Sequence, residues 1–97
     1  MHTIKSFEIS FDPVKNERNI VERGLSFAQA VDFDFASALF WLDTRKRYPE
    51  QRIVALGLLG GRVHSLVFVE SNTGIRVISF RKANSREVKR YAQEAQP

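Results

Sequence analysis

The sequence predicts an α+β domain built on an antiparallel sheet of four to five strands, in the order β-α-α-β-β-β-β-α. Three observations carry this. The apolar stretches between residues 52 and 81 are separated only by Gly60-Gly61 and by Ser71-Asn72-Thr73-Gly74, turns too short for anything but a meander. Helix-start signals fall ahead of that meander, at Asp12-Pro13 and Ser26-Phe27-Ala28-Gln29, and after it, at Asn84. The chain has 97 residues, enough for a single domain over 1–97 and not for two.

The elements follow in order. Ser6 to Phe11 alternates polar and apolar residues, the period of a half-buried strand. Asp12 is a good helix cap, and Pro13 suits the first helical position, where its missing N–H is no loss. This helix runs to about Arg23, where Gly24 supplies the left-handed terminating residue. Ser26 and Gln29 have capping-box spacing and open a short helix to about Val31. Ala38 to Leu42 is a short apolar strand, and the polar, proline-containing Asp43–Gln51 stretch is a loop. Arg52–Leu59, Arg62–Glu70 and Ile75 to Phe80 or Arg81 are the meander strands. In the middle one Val63, Val67 and Val69 take one face and Leu66 and Phe68 the other, so both faces of the sheet call for cover. Asn84 and Glu87 form a second capping box, and Val88, Tyr91, Ala92 and Ala95 give the last helix an apolar stripe.

Composition narrows the function. Hydrophobic residues make up 43% and charged residues 27%, a globular balance. With no cysteine, there is neither a disulfide framework nor a thiolate metal site. The apolar runs fall well short of the roughly 20 residues of a membrane helix, and the first residues lack the apolar centre of a signal peptide, so a cytoplasmic protein is expected. The net charge is only +4, but it is segregated. Residues 1–44 carry four bases and seven acids, net −3, and residues 45–97 carry eleven bases and four acids, net +7. From Arg76 to Tyr91 alone there are six bases and one acid. One basic face implies an anionic partner; uneven scatter of solvated charge is the competing reading.

The residues that carry chemistry are mostly arginines. His2 and His64 share no ligand spacing with a carboxylate cluster, so no metal or other cofactor is expected. Phosphate-loop and serine-elbow motifs are absent, and Gly57, Gly60 and Gly61 read as hairpin geometry. Arg45, Lys46 and Arg52 flank the central loop; Arg76, Arg81, Lys82 and Arg86 mark the last strand and its exit. Arginine holds phosphate with a planar fork and stays charged near neutral pH. RNA cleaved by its own 2′-hydroxyl needs cations at the phosphate, a base and an acid, and no metal. Tyr48, Glu50, Glu70, His64 and Tyr91 are the acid–base groups on offer. Tyr91 reads equally as a core residue with its hydroxyl at the rim, and His64 as a surface or boundary residue. Strand parity sends Arg76 and Arg81 to opposite faces unless a bulge lies between them or the strand stops before Arg81.

The chain resembles the BrnT family of type II toxins from about Phe7 to Tyr91. The resemblance rests on Phe11-Asp12-Pro13-x-Lys15, Asn19, Gly24-Leu25-Ser26-Phe27, Asp43-x-Arg45, Tyr48-x-Glu50-x-Arg52 and Ala55-Leu56-Gly57. It continues through Arg76-x-Ile78-Ser79-x-Arg81-Lys82-Ala83, Glu87 and Tyr91. It implies a RelE-like fold and an endoribonuclease neutralised by a cognate, BrnA-like antitoxin, with operator DNA bound only through that antitoxin. It places Arg52, Arg76 and Arg81 in the RNA-cleaving site, with Tyr48, Glu50 and Lys82 as neighbours. Arg23 stands where the family usually has histidine, Pro49 where it often has glycine, and Phe80 where it has a small residue. A bulky Phe80 narrows the site, stacks on a base or fills the core. The competing reading is a non-catalytic basic module that docks an acidic protein or nucleic acid.

Overall fold

A computed structural model describes residues 7–95. The expected first strand therefore begins at Glu8, and Ser6 lies outside the described residues. The elements are β1 (Glu8–Phe11), α1 (Pro13–Arg23), a 3₁₀ helix (Phe27–Asp32), β2 (Leu39–Leu42), β3 (Ile53–Leu59), β4 (Arg62–Glu70), β5 (Gly74–Lys82) and α2 (Ser85–Glu94). This is the α+β order read from the sequence. The strands form one sheet, ordered β1-β5-β4-β3-β2. β2 to β5 are the antiparallel meander, while β1 lies parallel to β5, which makes the sheet mixed. That pairing joins strands more than sixty residues apart, and no local pattern encodes it.

The caps act as their chemistry requires. Asp12 accepts from the Val14 and Lys15 amides, Gly24 closes α1 at φ 65°, and Ser26 with Gln29 forms a complete capping box. The second start signal gives a 3₁₀ helix, not an α-helix. Gly60 and Gly61 take φ 57° and 78° in the β3–β4 hairpin, the two-residue turn that needs positive φ twice. Gly57 is different. It lies inside β3, where an added Cβ would stand 2.6 Å from the Phe33 ring and 2.9 Å from the Ala38 Cβ. Close packing, and not hairpin geometry, is its reason.

The core fills the inner face of the sheet. Leu66, Phe68, Ile75, Val77 and Phe80 meet Leu25, Phe27, Ala30 and Phe33. Phenylalanines 33, 35, 68 and 80 pack edge to face in a chain. Phe80 is fully buried, so of its three readings it fills the core. α1 contributes one buried residue, and it is polar: Asn19, whose Nδ2 donates to the Leu25 and Phe80 carbonyls at 2.9 Å each. The outer face is covered at the β2 end by α2. There Arg90 lies 4.2 Å over the Trp41 ring and the Tyr91 hydroxyl meets Ser37. The apolar stripe of α2 is only partly used, with Ala95 buried, Tyr91 half-buried, and Val88 and Ala92 exposed.

A bulge in β5 decides what faces where. From Ile75 to Val77 the strand pairs in one register with β4 (Phe68↔Val77, Val69↔Arg76), and from Ser79 to Lys82 in another (Val67↔Ser79, Ser65↔Arg81). Ile78 is the extra residue. The inner-face side chains of β5 are accordingly Ile75, Val77 and Phe80, with a step of two and then a step of three.

Candidate active site

The bulge resolves the parity conflict. Arg76 is paired with Val69 and Arg81 with Ser65; those partners are four apart on β4, so both arginines lie on the outer face. Four rungs also separate them by about 13 Å along the strand. They share a surface and do not grip the same oxygen.

Both of these arginines are held by acids. At one end Arg76 pairs with Glu50, a half-exposed contact that contributes little to stability. At the other, Arg81 makes a bidentate pair with Glu87, 2.8 and 2.9 Å from Nη1 and Nη2 to the two carboxylate oxygens. Glu87 also accepts from the Asn84 amide, so one carboxylate caps α2 and orients Arg81. Hydrogen bonding to Glu87 raises the Arg81 pKa above its ordinary value, against burial and the nearby charge of Arg45. Hydrogen bonding to Arg81 lowers the Glu87 pKa in return.

Between the two ends lies the 43–52 loop, organised by a residue the sequence reading did not single out for the site. The side chain of Asp43 is 1% exposed. It accepts from Arg45 Nε at 2.9 Å and Nη2 at 2.8 Å, from the Arg45 amide, and from the Tyr48 hydroxyl at 3.2 Å. Its backbone amide donates to the Arg52 carbonyl, which closes the loop. Hydrogen bonding to Arg45 holds the Asp43 carboxyl down at about 2, against the cost of burial. Tyr48 in turn carries Arg52, whose guanidinium sits 4.1 Å above the phenol ring. The signal was present as a short acid directly after an apolar strand, with arginine at +2 and tyrosine at +5.

A cleft of about 310 Å³ joins this loop to β5; Trp41, Asp43, Arg45, Ser65, Arg81 and Glu87 are among its walls. Arg45 and Arg81 therefore face one space. A second hollow, about 410 Å³, is lined by Lys46, Tyr48, Glu50 and Arg52. Of the predicted site residues, Arg45, Lys46, Tyr48, Glu50 and Arg52 belong to one loop. Glu50 links that loop to Arg76, and Arg45 brings it to Arg81. Lys82 points to the other face, opposite His64, and Arg86 is exposed on the first turn of α2.

His64 also departs from expectation. It does share the Leu66 face, but it is only 5% exposed. Its ring packs 5.7 Å from that of Phe80, and Nδ1 lies 2.8 Å from the Arg62 carbonyl. Among the described residues no three His, Cys, Asp or Glu side chains come together as a metal-ligand set, and no helix is long and apolar enough to cross a membrane.

Comparison with known proteins agrees with the geometry. No curated protein matches the chain. The ribonuclease toxin BrnT of Brucella abortus, known from a crystal structure, is similar in fold: 28% identity and a TM-score of 0.64, covering 82% of this chain and all of that one. A family model described as "Ribonuclease toxin, BrnT, of type II toxin-antitoxin system" matches residues 11–87. The chain belongs to the BrnT family of ribonuclease toxins of type II toxin–antitoxin systems.

Proposed function

We propose that this chain is a cytoplasmic endoribonuclease toxin that cuts RNA by transfer to the RNA's own 2′-hydroxyl, with arginine charge in place of a metal. Arg81 and Arg45 face the scissile phosphate across the shared cleft and stabilise the negative charge that develops on it. Arg52, Arg76, Lys46 and Arg86 hold the flanking backbone, Lys82 lies on the other face of the sheet and takes no part there, and Tyr48 and Glu50 keep Arg52 and Arg76 in place. The observation that carries this reading is the bulge at Ile78, which brings Arg76 and Arg81 to the face on which the Asp43 loop presents Arg45 and Arg52. Each of these guanidiniums is oriented before RNA arrives, so little reorganisation is needed on binding.

A BrnA-like antitoxin is the expected partner, forming a hetero-oligomer in which operator DNA is contacted only through the antitoxin. The test is incubation of the purified protein with RNA in EDTA. Cleavage is expected, and Arg81→Ala should slow it at least ~100-fold, the typical loss on removing one charge-stabilising donor. Equal cutting by Arg81→Ala refutes the assignment. RNA that is shifted on a gel but never shortened leaves the chain as a binding module.

A further inference from the structure

We propose that β2 is a self-pairing edge: two copies of this chain join antiparallel along it, about a two-fold axis at Trp41, into one continuous sheet of ten strands, five from each copy. The inference goes beyond the ribonuclease reading and does not depend on it. β2 ends the sheet, with β3 on one side and, among the described residues, no strand on the other. The Asp43 amide donates to the Arg52 carbonyl at 2.8 Å, so 43/52 is a hydrogen-bonded pair that continues the β2–β3 ladder. By alternation 41/54 and 39/56 are hydrogen-bonded too, and 40/55 and 42/53 are not. The N–H and C=O groups of Phe40 and Leu42 therefore point outward from the edge, where another strand can pair with them.

The side chains agree. Phe40 stands opposite Ala55 and Leu42 opposite Ile53, and these in turn oppose Leu66 and Phe68 of the core. Phe40 and Leu42 thus extend the inner face past its cover, and each is 48% exposed. Edge strands are ordinarily protected by lysine, proline or a bulge. The Leu-Phe-Trp-Leu of β2 has none of these and is protected only by being short.

A second copy is the occupant that uses all of these groups. Pairing Phe40 with Leu42 of the other copy gives four backbone hydrogen bonds and sets each Phe40 ring beside a Leu42 on the same face. A two-fold contact needs a self-complementary surface, and the flanking charges supply it. Exposed Asp32 and Asp34 precede β2, and exposed Arg45, Lys46 and Arg47 follow it. Antiparallel pairing turns the acidic approach of each copy toward the basic exit of the other. α2 packs over β3, one strand in from the edge. The axis runs perpendicular to the sheet, so the two clefts walled by Trp41, Arg45 and Arg81 open on the same side. Strands of four residues bury less than the roughly 1,200 Å² of a standard interface, so the dimer forms and parts with concentration.

Sedimentation velocity from about 10 µM to about 1 mM, the range in which small interfaces associate, should show a monomer passing to a dimer. Phe40→Pro removes an outward amide and a ring but no hydrogen bond of the β2–β3 ladder, and it should stay monomeric throughout. Val21→Lys, on the exposed side of α1, should associate like the wild type. The register has its own test. In this pairing residue 41 faces itself, in a non-hydrogen-bonded pair with Cα atoms about 4.5 Å apart, within disulfide reach. The chain has no cysteine, so Trp41→Cys carries a single thiol and should oxidise to a covalent dimer, whereas Thr44→Cys should not. Each variant is checked for folding by circular dichroism, and where one fails to fold the other decides. A wild type monomeric to about 1 mM overturns the inference and leaves the edge to a strand of another protein. A dimer that survives Phe40→Pro, or one in which Thr44→Cys crosslinks as readily as Trp41→Cys, overturns it as well. None of these outcomes bears on RNA cleavage.

Discussion

Asn19→Ala tests whether one buried amide joins α1 to the sheet. Asn19 is the only buried residue of α1, and both hydrogens of its Nδ2 are used, on the Leu25 and Phe80 carbonyls. The Phe80 carbonyl has no strand to bond. The Ala83 amide donates to the Val63 carbonyl, so the hydrogen-bonded pairs of this ladder are 63/83, 65/81 and 67/79. Phe80 and Leu66 form a pair between them, and the Phe80 carbonyl points away from β4. β1 would receive it, but β1 ends at Phe11, level with Val77. Asn19 stands in for the missing strand. Truncation leaves two buried acceptors unpaired, each costing about 1–1.5 kcal/mol. The total, about 2–3 kcal/mol, is a large part of the roughly 5–15 kcal/mol that holds a domain of this size together. Thermal melting followed by circular dichroism should show a fall of roughly 10–20 °C. Asn19→Asp, which sets an acceptor against two acceptors, should be worse. Glu17→Ala, exposed on the same helix, should stay within about 0.5 kcal/mol. A change below about 0.5 kcal/mol for Asn19→Ala would refute the reasoning and mean that water serves both carbonyls.

Two further outcomes are expected. Asp43 has a folded pKa depressed from 3.8 to about 2, so its contribution to stability is fully present above the unfolded value and is lost as pH falls from about 4 through 2. Urea midpoints measured at pH 5, 3.5 and 2.5 should fall more steeply for the wild type than for Asp43→Asn; parallel curves would show that the loop does not depend on that charge. Gly57→Ala drives a methyl into the Phe33 ring, which is buried and cannot retreat. It should cost about 1–3 kcal/mol in denaturant titration, and a neutral result would mean that β3 moves outward at low cost.

What the sequence revealed was local. The helix caps formed by Asp12, Gly24, Ser26, Asn84 and Glu87 reach no more than four residues along the chain, and they were legible one residue at a time. The site depended on relations across the chain. The hub role of Asp43 needs a folded loop. The burial of His64 comes from Phe80, sixteen residues away, and from the end of α1. The function of Gly57 depends on where Phe33 arrives. The parallel partnership of β1 with β5 is a fact of topology, and no short pattern announces it. The spacing Ile75-x-Val77-x-x-Phe80 was the one visible trace of the bulge. Read alone, it is equally an irregular strand.

That extra residue makes β5 two half-strands of opposite phase. Ile75 and Val77 keep time with the core as odd-numbered positions, and Phe80 as an even one. Without Ile78 the strand would alternate regularly, with Ile75, Val77 and Phe80 still inward and Arg76 and Arg81 still outward. The bulge therefore reconciles an odd spacing of the two arginines with a common face, and a strand without a bulge reaches the same facing with one residue fewer between them. A chain with a single-residue gap at Ile78 would carry its two arginines on one face in an unbulged strand, whereas one that keeps the residue must keep the bulge.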